Sequence, residues 1–385
     1  MGNILDYLDW RGDLPLSLFP FGRVDALILS VLSYVKLEGI VPQVGQGEIS
    51  LEEAAEKFFA RHSEKELKED KTFTNFAPEV LRKAAASARF GKSILRNFCN
   101  HVDLEHELQF SAMEILTEDG VSFLSYKGTD DTIIGWKEDF NISYRTVPAD
   151  EEAVAYLNFI HANRRESIRL GGHSKGAHLA LYAAAFCRED IRERIIKVYE
   201  NDGPGFNWEM LESCDREKLS HLICRVIPQT AIIGSLLYHL KEADIVRSDE
   251  KGLMQHNPIS WQIMGGDFVT EESCSKKGKI FEETFNTWIE SVGEEDRKGF
   301  IDDMFSVLQA PGFTTIKEVR QAGPKASKIM WERLQRIDPK SRMIIEKLIL
   351  IFIGNWAVAG VKKEKKAQGK KAAKVKKKER EIRKK

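Results

Sequence analysis

The segment that most restricts what this chain can fold into is Ser167-Ile168-Arg169-Leu170-Gly171-Gly172-His173-Ser174-Lys175-Gly176, which runs straight into Ala177-His178-Leu179-Ala180-Leu181-Tyr182. A short apolar strand, glycines two residues either side of a serine, and an Ala-rich helix-forming run read together as G-x-S-x-G in a strand–turn–helix. Such a turn holds Ser174 in a strained backbone conformation on top of a sheet. Gly172 and Gly176 are required because a Cβ at either would strike the neighbouring strand or helix. The N–H of Lys175, at the start of the helix, then points to a place where negative charge can develop. Without its flanks the same pattern is an ordinary glycine-rich connection, so the weight rests on the strand before it and the helix after it.

The rest of the chain supplies partners for that strand. Gln109–Leu116 and Val121–Lys127 are rich in β-branched and aromatic residues, with the hairpin signal Asp119-Gly120 between them. Ile142–Val147, Ile195–Asn201, Leu222–Ile227 and Ala243–Arg247 are further strand candidates, and Ala149–Arg164 and Lys175–Cys187 read as helices. Strand alternating with helix predicts an α/β fold with a mostly parallel sheet covered on both faces. Before it, Val24–Tyr34, Ile49–Glu69 (capped by Ser50 with Glu53) and Pro78–Phe98 have helical spacing. The expected organisation is an N-terminal helical region (1–108) packing on or capping the core, an α/β core (109–270), a C-terminal helical extension (271–360) and a basic, disordered tail (361–385).

Composition narrows the class. Of 385 residues, 42% are apolar and 30% charged, the balance of a soluble globular protein, which excludes wholesale disorder and collagen. Five cysteines at wide, irregular spacing, none in C-x-x-C, support neither a disulfide framework nor a zinc ribbon and favour a reducing, cytoplasmic setting. The net charge of −1 conceals a tail from Val361 to Lys385 with 14 Lys or Arg against 3 Glu, so the body is acidic. A basic run of this kind is usually solvated and also suits an anionic membrane surface. The apolar stretch Leu348–Val361 is 14 residues with Asn355 inside it, short of the ~20 that span a bilayer, and reads as a buried or interfacial helix. No secretory signal is legible at the start of the chain. Gly45-x-Gly47 is no phosphate loop, His101 and His106 with their acidic neighbours fit no standard zinc spacing, and no cofactor is implied. Aromatic residues are not interleaved with basic ones, so the core is not expected to bind nucleic acid.

Gly-His-Ser-Lys-Gly followed by Ala-His-Leu-Ala resembles the G-H-S-x-G-G-x-L-A signature of class 3 lipases, members of the α/β-hydrolase superfamily, with Ala177 in place of the second glycine. Ser125-Tyr126-Lys127-Gly128-Thr129-Asp130 and Trp136-Lys137-Glu138-Asp139-Phe140 are similar to the lipases' basic-Gly-Ser/Thr segment and the Trp-x-x-Asp that follows it. The opening Asp6-Tyr7-Leu8-Asp9-Trp10-Arg11-Gly12-Asp13 and the Gln255-His256 to Trp261 segment resemble a bacterial lipase-like family of unknown function. The resemblance implies an α/β-hydrolase-type sheet and gives Thr129 the second half of an oxyanion hole, beside Lys175.

A serine hydrolase requires an imidazole to take the hydroxyl proton and a carboxylate to orient that imidazole. His178, four residues past Ser174, suits packing or capping. Of the downstream candidates His221, His239 and His256, His256 lies in a loop after the last strand candidate, and the lipase resemblance puts the base there. Class 3 lipases carry the acid just past the strand equivalent to Leu222–Ile227, but Pro228-Gln229-Thr230 holds no carboxylate. Asp202, ending the strand beside the serine's, is the best replacement, and Asp202-Gly203-Pro204-Gly205-Phe206 is similar to the acid-bearing segment of pancreatic-type lipases. Asp202 serves a turn before Gly203-Pro204 equally well, and Asp244 is the runner-up. The expectation is a serine ester hydrolase using Ser174, His256 and Asp202, with lipid acyl esters as the substrate class that the resemblance implies. A thioesterase or peptidase on the same fold, or a non-catalytic scaffold binding a partner or membrane through the tail, are the alternatives.

Overall fold

In a computed structural model the strand-forming runs assemble into one nine-stranded sheet. The structure describes residues 1–345 apart from 71, 104, 130–131, 144, 277, 280–292, 316–317, 320 and 343–344. The segment Leu348–Val361 and the tail 361–385 lie outside the described residues. Strands β1 (Glu48–Ser50), β2 (Ile94–Asp103), β3 (Leu108–Leu116), β4 (Ser122–Tyr126), β5 (Ile168–His173), β6 (Ile195–Asn201), β7 (Ile223–Pro228) and β8 (Asp244–Val246) stand side by side in chain order. After a small hairpin of β9 (Ile263–Met264) and β10 (Asp267–Phe268), β11 (Thr270–Glu271) closes the far edge against β8. The run from β4 to β8 is parallel throughout, and the other neighbours pair antiparallel. This mostly parallel sheet, flanked by helices, is an α/β-hydrolase-type architecture.

Side chains alternate between two cores, as the two-residue period of a strand requires. Phe123, Tyr199 and Val226 enter a core shared with α1 (Ile4–Arg11), α2 (Arg23–Leu32), α3 (Leu51–Arg61) and α5 (Ala77–Ala85). Their sequence neighbours Leu124 and Val198, with Leu170, face the opposite core, built on α7 (Pro148–His161) and α8 (Lys175–Phe186). Every residue of α2 from Val24 to Leu32 is buried, which explains its largely apolar composition. Its one acid, Asp25, is wholly buried and takes both prongs of Arg89, at 2.7 and 2.6 Å, with the Tyr7 hydroxyl also donating to it at 2.9 Å. The remaining Arg89 donors reach the carbonyls of Leu14, Phe19 and Pro20, so the guanidinium is fully satisfied.

Three sequence expectations are corrected. The helix expected over Pro78–Phe98 ends at Ala85, and the chain turns at Gly91, where a Cβ would lie 2.5 Å from the Ala85 carbonyl. Ile94 onward then pairs with β3 as a strand that the preceding alanines had disguised, so the sheet begins before residue 109. Ile142–Val147 forms no strand among its described residues. The helix α6 (Ile133–Asn141) instead precedes α7, and the β-branched Ile142 and Val147 are buried between the two helices. The expected helix over Ile49–Glu69 is two, because Ser63 caps α4 (Glu64–Glu69) separately. The Asp119-Gly120 hairpin, the helices α7 and α8, and β8 fall where expected. The chain divides into two units, Met1–Met330 and Trp331–Lys385, and the sheet lies wholly in the first.

Glu114, on β3 and without solvent exposure, gathers Arg96 at 2.9 and 3.0 Å, Asn97 and Ser122 at 2.6 Å, and Arg164 at 2.8 and 2.9 Å. Burial works to raise its pKa, but the hydrogen bonds from Arg96 and Ser122 and the two arginine charges outweigh it and hold the carboxyl down at about 2. A carboxyl depressed in the folded state stabilises the fold above the unfolded value of 4.5 and loses that contribution as pH falls toward 2. The shift corresponds to roughly 3 kcal/mol at neutral pH. Glu114→Gln is expected to remove this share of stability at pH 7 and to flatten the acid dependence between pH 4.5 and 2, measured by urea unfolding across pH.

Candidate active site

The site forms where the parallel strands end. Ser174 follows β5 with φ 59° and ψ −132°, a strained conformation that costs about 1–3 kcal/mol and persists because the surroundings leave no alternative. The cause is a backbone crossing. A Cβ on Gly172 would lie 2.1 Å from the Gly176 carbonyl carbon, and one on Gly176 would lie 2.1 Å from the Tyr126 carbonyl oxygen at the end of β4. β5, the first turn of α8 and the end of β4 therefore touch through backbone alone. Ser174 N–H donates to the Asn201 carbonyl at 3.0 Å, joining the turn to β6.

Asp202 follows β6 one strand away, also at positive φ (49°) and fully buried. Its N–H donates to Val226 O at 2.8 Å, and its Oδ1 accepts the Gly234 N–H at 3.1 Å. Its Oδ2 lies 2.6 Å from His256 Nδ1. Since a carboxylate only accepts, Nδ1 carries the proton and Nε2 keeps its lone pair. Asp202 thus both shapes the turn and partners the imidazole, two readings the residue type alone left open. His256 ends the short helical turn Gly252–His256. Trp261, fully buried, donates from its indole to the Gln255 carbonyl at 2.8 Å, and the Gln255 amide oxygen accepts the Thr230 N–H at 2.6 Å. The segment after β7 that lacks an acid therefore supports the histidine loop.

Thr129 and Lys175 come from adjoining elements, since the Lys127–Gly128 backbone lies against Gly176. The Thr129 hydroxyl points to the Asp139 carboxylate, with its oxygens at 2.7 and 2.6 Å. Burial raises the Asp139 carboxyl to about 7, against the pull of Lys175 and the Thr129 hydroxyl. The Lys175 ammonium is buried and donates to Glu138 at 2.6 Å and to the Gln109 carbonyl at 2.9 Å, which ties the start of α8 to α6 and β3.

The other histidines are placed elsewhere. His178 is buried, with Nδ1 3.0 Å from the Gly205 carbonyl and Nε2 3.1 Å from Asp150, the packing role its position implied. His239 faces Glu200 at 3.2 Å, and His221 is exposed. Asp244 opens β8 and pairs with Arg23 at 2.6 Å, away from His256. Three residues at the site carried no assignable signal. Phe73, between α4 and α5, stacks on the His256 ring at 5.9 Å. His173 stands between Gly172 and Ser174 and entered the sequence reading only as part of the G-H-S-x-G match, with no role assigned to it. Tyr34 lies two residues past the end of α2 and bonds His173. Among the described residues no cluster of His, Cys, Asp and Glu is arranged to hold a metal ion.

A family model described as Mbeg1-like matches residues 84–306, a span that includes β3 to β8, Ser174, Asp202 and His256. Among solved structures, the crystal structure of M37 lipase is similar at 14% identity and a TM-score of 0.33, covering 54% of this chain and 68% of that one. No curated protein sequence matches this chain.

The backbone crossing is directly testable. Gly172→Ala puts a methyl 2.1 Å from another backbone carbon, which no rotamer change relieves. A loss of several kcal/mol, beyond the ~1–3 of ordinary overpacking, is expected in chemical denaturation. Gly120→Ala, at positive φ but with open space around it, is expected to cost about 1 kcal/mol.

Proposed function

The chain belongs to the lipase-like Mbeg1-like family, and from that premise we propose that it is a serine hydrolase that cleaves a carboxylic ester, with lipid acyl esters as the substrate class the resemblance favours. The observation that carries the reading is the 2.6 Å contact between Asp202 and His256 Nδ1, at the same sheet edge where Ser174 is lifted out by its strained turn.

In this reading Ser174 Oγ attacks the carbonyl carbon while His256 Nε2 takes its proton, giving a tetrahedral oxyanion and an imidazolium. Asp202 keeps the ring in the required tautomer and stabilises its charge. The oxyanion is met by the N–H of Lys175, favoured by the α8 dipole, and by the Thr129 side of the loop after β4. The C–O bond to the alcohol then breaks, with His256 returning the proton to the leaving oxygen and the acyl group remaining on Ser174. Water, deprotonated by His256, releases the acid and restores the serine. No cofactor enters this scheme. With Asp202 partnering His256, the missing carboxylate after β7 no longer argues for a non-catalytic scaffold.

No helix of the described residues is long and apolar enough to cross a membrane. A cytoplasmic location, and contact with an anionic membrane surface through the basic residues 361–385, belong to the same proposal. Flotation with anionic liposomes is expected to carry the full chain and not a chain ending at residue 360. Equal behaviour of the two forms removes the membrane part.

Catalysis is tested with a fluorophosphonate probe, which phosphonylates only an activated serine. Labelling is expected, with complete loss in Ser174→Ala. Asp202→Asn is expected to slow it roughly thousandfold by allowing the wrong tautomer. Folded protein that resists the probe defeats the proposal. If labelling holds, p-nitrophenyl esters of graded chain length are expected to show faster turnover of longer acyl chains, and a preference for acetyl removes the lipid assignment.

A further inference from the structure

Asp202 holds only the side chain of His256, and a second contact holds its backbone. His173 Nε2 lies 2.8 Å from the His256 carbonyl oxygen, and the two imidazoles stack at 4.5 Å between centroids, tilted by 33°. A carbonyl only accepts, so Nε2 of His173 carries the proton and its Nδ1 is an acceptor. That acceptor faces the Tyr34 hydroxyl at 2.9 Å. The chain of donors therefore runs one way, from Tyr34 O–H to His173 Nδ1 and from His173 Nε2–H to His256 O. Burial, and then the neighbouring His256, keep His173 well below the ordinary histidine range, so it is neutral and retains the acceptor the chain requires. The Tyr34 hydroxyl is seated tightly. A Cβ on Gly128, the residue before Thr129, would lie 2.2 Å from it.

We propose that His173 and Tyr34 are positioning residues that lock the loop carrying His256 in register with Ser174. The inference rests on the proposed triad. Its physical basis is that His173 is covalently joined to the serine, so whatever it holds is referenced to the nucleophile without an intervening flexible segment. The base then has two restraints at right angles in function: Asp202 sets the ring's rotation and tautomer, and His173 sets the loop's distance. Tyr34 fixes which nitrogen of His173 is the donor. Without its hydroxyl, the other tautomer would turn a lone pair on the His256 carbonyl and push the loop away. Small displacements of a general base are costly in rate.

The rate of fluorophosphonate labelling reads the position of the base without knowledge of the substrate. His173→Gln, whose amide N–H can still reach the carbonyl, is expected to label within a few-fold of the native chain. His173→Phe, which keeps the ring stack but has no donor, is expected to be slowed roughly ten- to a hundredfold. Tyr34→Phe is expected to fall between them and serves where His173→Phe does not fold. All are measured well below their melting temperatures, with circular dichroism confirming the fold, and across pH. A base that is misplaced lowers the plateau rate without moving its pH midpoint. The inference is overturned if a folded His173→Phe or Tyr34→Phe labels as fast as the native chain, or if His173→Gln is as slow as His173→Phe. If the native chain itself does not label, it is the triad that has failed, and the positioning role fails with it.

Discussion

Three backbone segments meet at the end of β5 with no side chain between them, and the site is a consequence of that contact. Gly172 and Gly176 face each other closely enough to exclude any Cβ, and Gly176 also abuts the end of β4. The contact forces Ser174 to positive φ, starts α8 directly above the sheet, and brings the Thr129 loop against the helix's first turn. Remove the contact and the serine has no reason to leave ordinary backbone space. The strain at Ser174, and the positive φ of Asp202 on the next strand, sit where the parallel strands end, each residue still anchored to the neighbouring strand by its N–H.

Around this crossing the protein places its buried charges in paired groups. Arg89 spends every donor on Asp25 and three carbonyls, which holds the loop after α1 to α2. Glu114 binds β2, β3, β4 and the end of α7 together at one edge. Lys175 with Glu138, and His178 with Asp150, fasten α8 to α6 and α7 on the side away from the N-terminal helices. Breaking a buried pair leaves an uncompensated charge, so such groups specify one arrangement even where their net stabilisation is small. The N-terminal helices reach the site itself through Phe73 on His256 and Tyr34 on His173.

Local signals were legible wherever the residue and its reason lay within a few positions. The strand–Ser174–helix unit, the Asp119-Gly120 hairpin and the capping of α3 by Ser50 are all short-range, and each appears as the pattern implied. The misread segments are those where local preference and tertiary context disagree. The alanines before Gly91 extend a helical rhythm that the chain abandons to supply β2, and Ile142–Val147 has strand-like residues because it is buried, not because it pairs.

Sequence alone determined the elbow, because two glycines about a serine between a strand and a helix leave the backbone one workable path, and it determined the parallel order of the strands that follow. It could only nominate His256 and Asp202, since an imidazole 54 positions from a carboxylate declares no partner. Tertiary structure decided that pairing by ending β6 beside β5 and packing Trp261 under the histidine loop. It alone brought Tyr34 to His173, across 139 positions, because a hydrogen bond depends on distance in space, and only folding converts sequence separation into proximity.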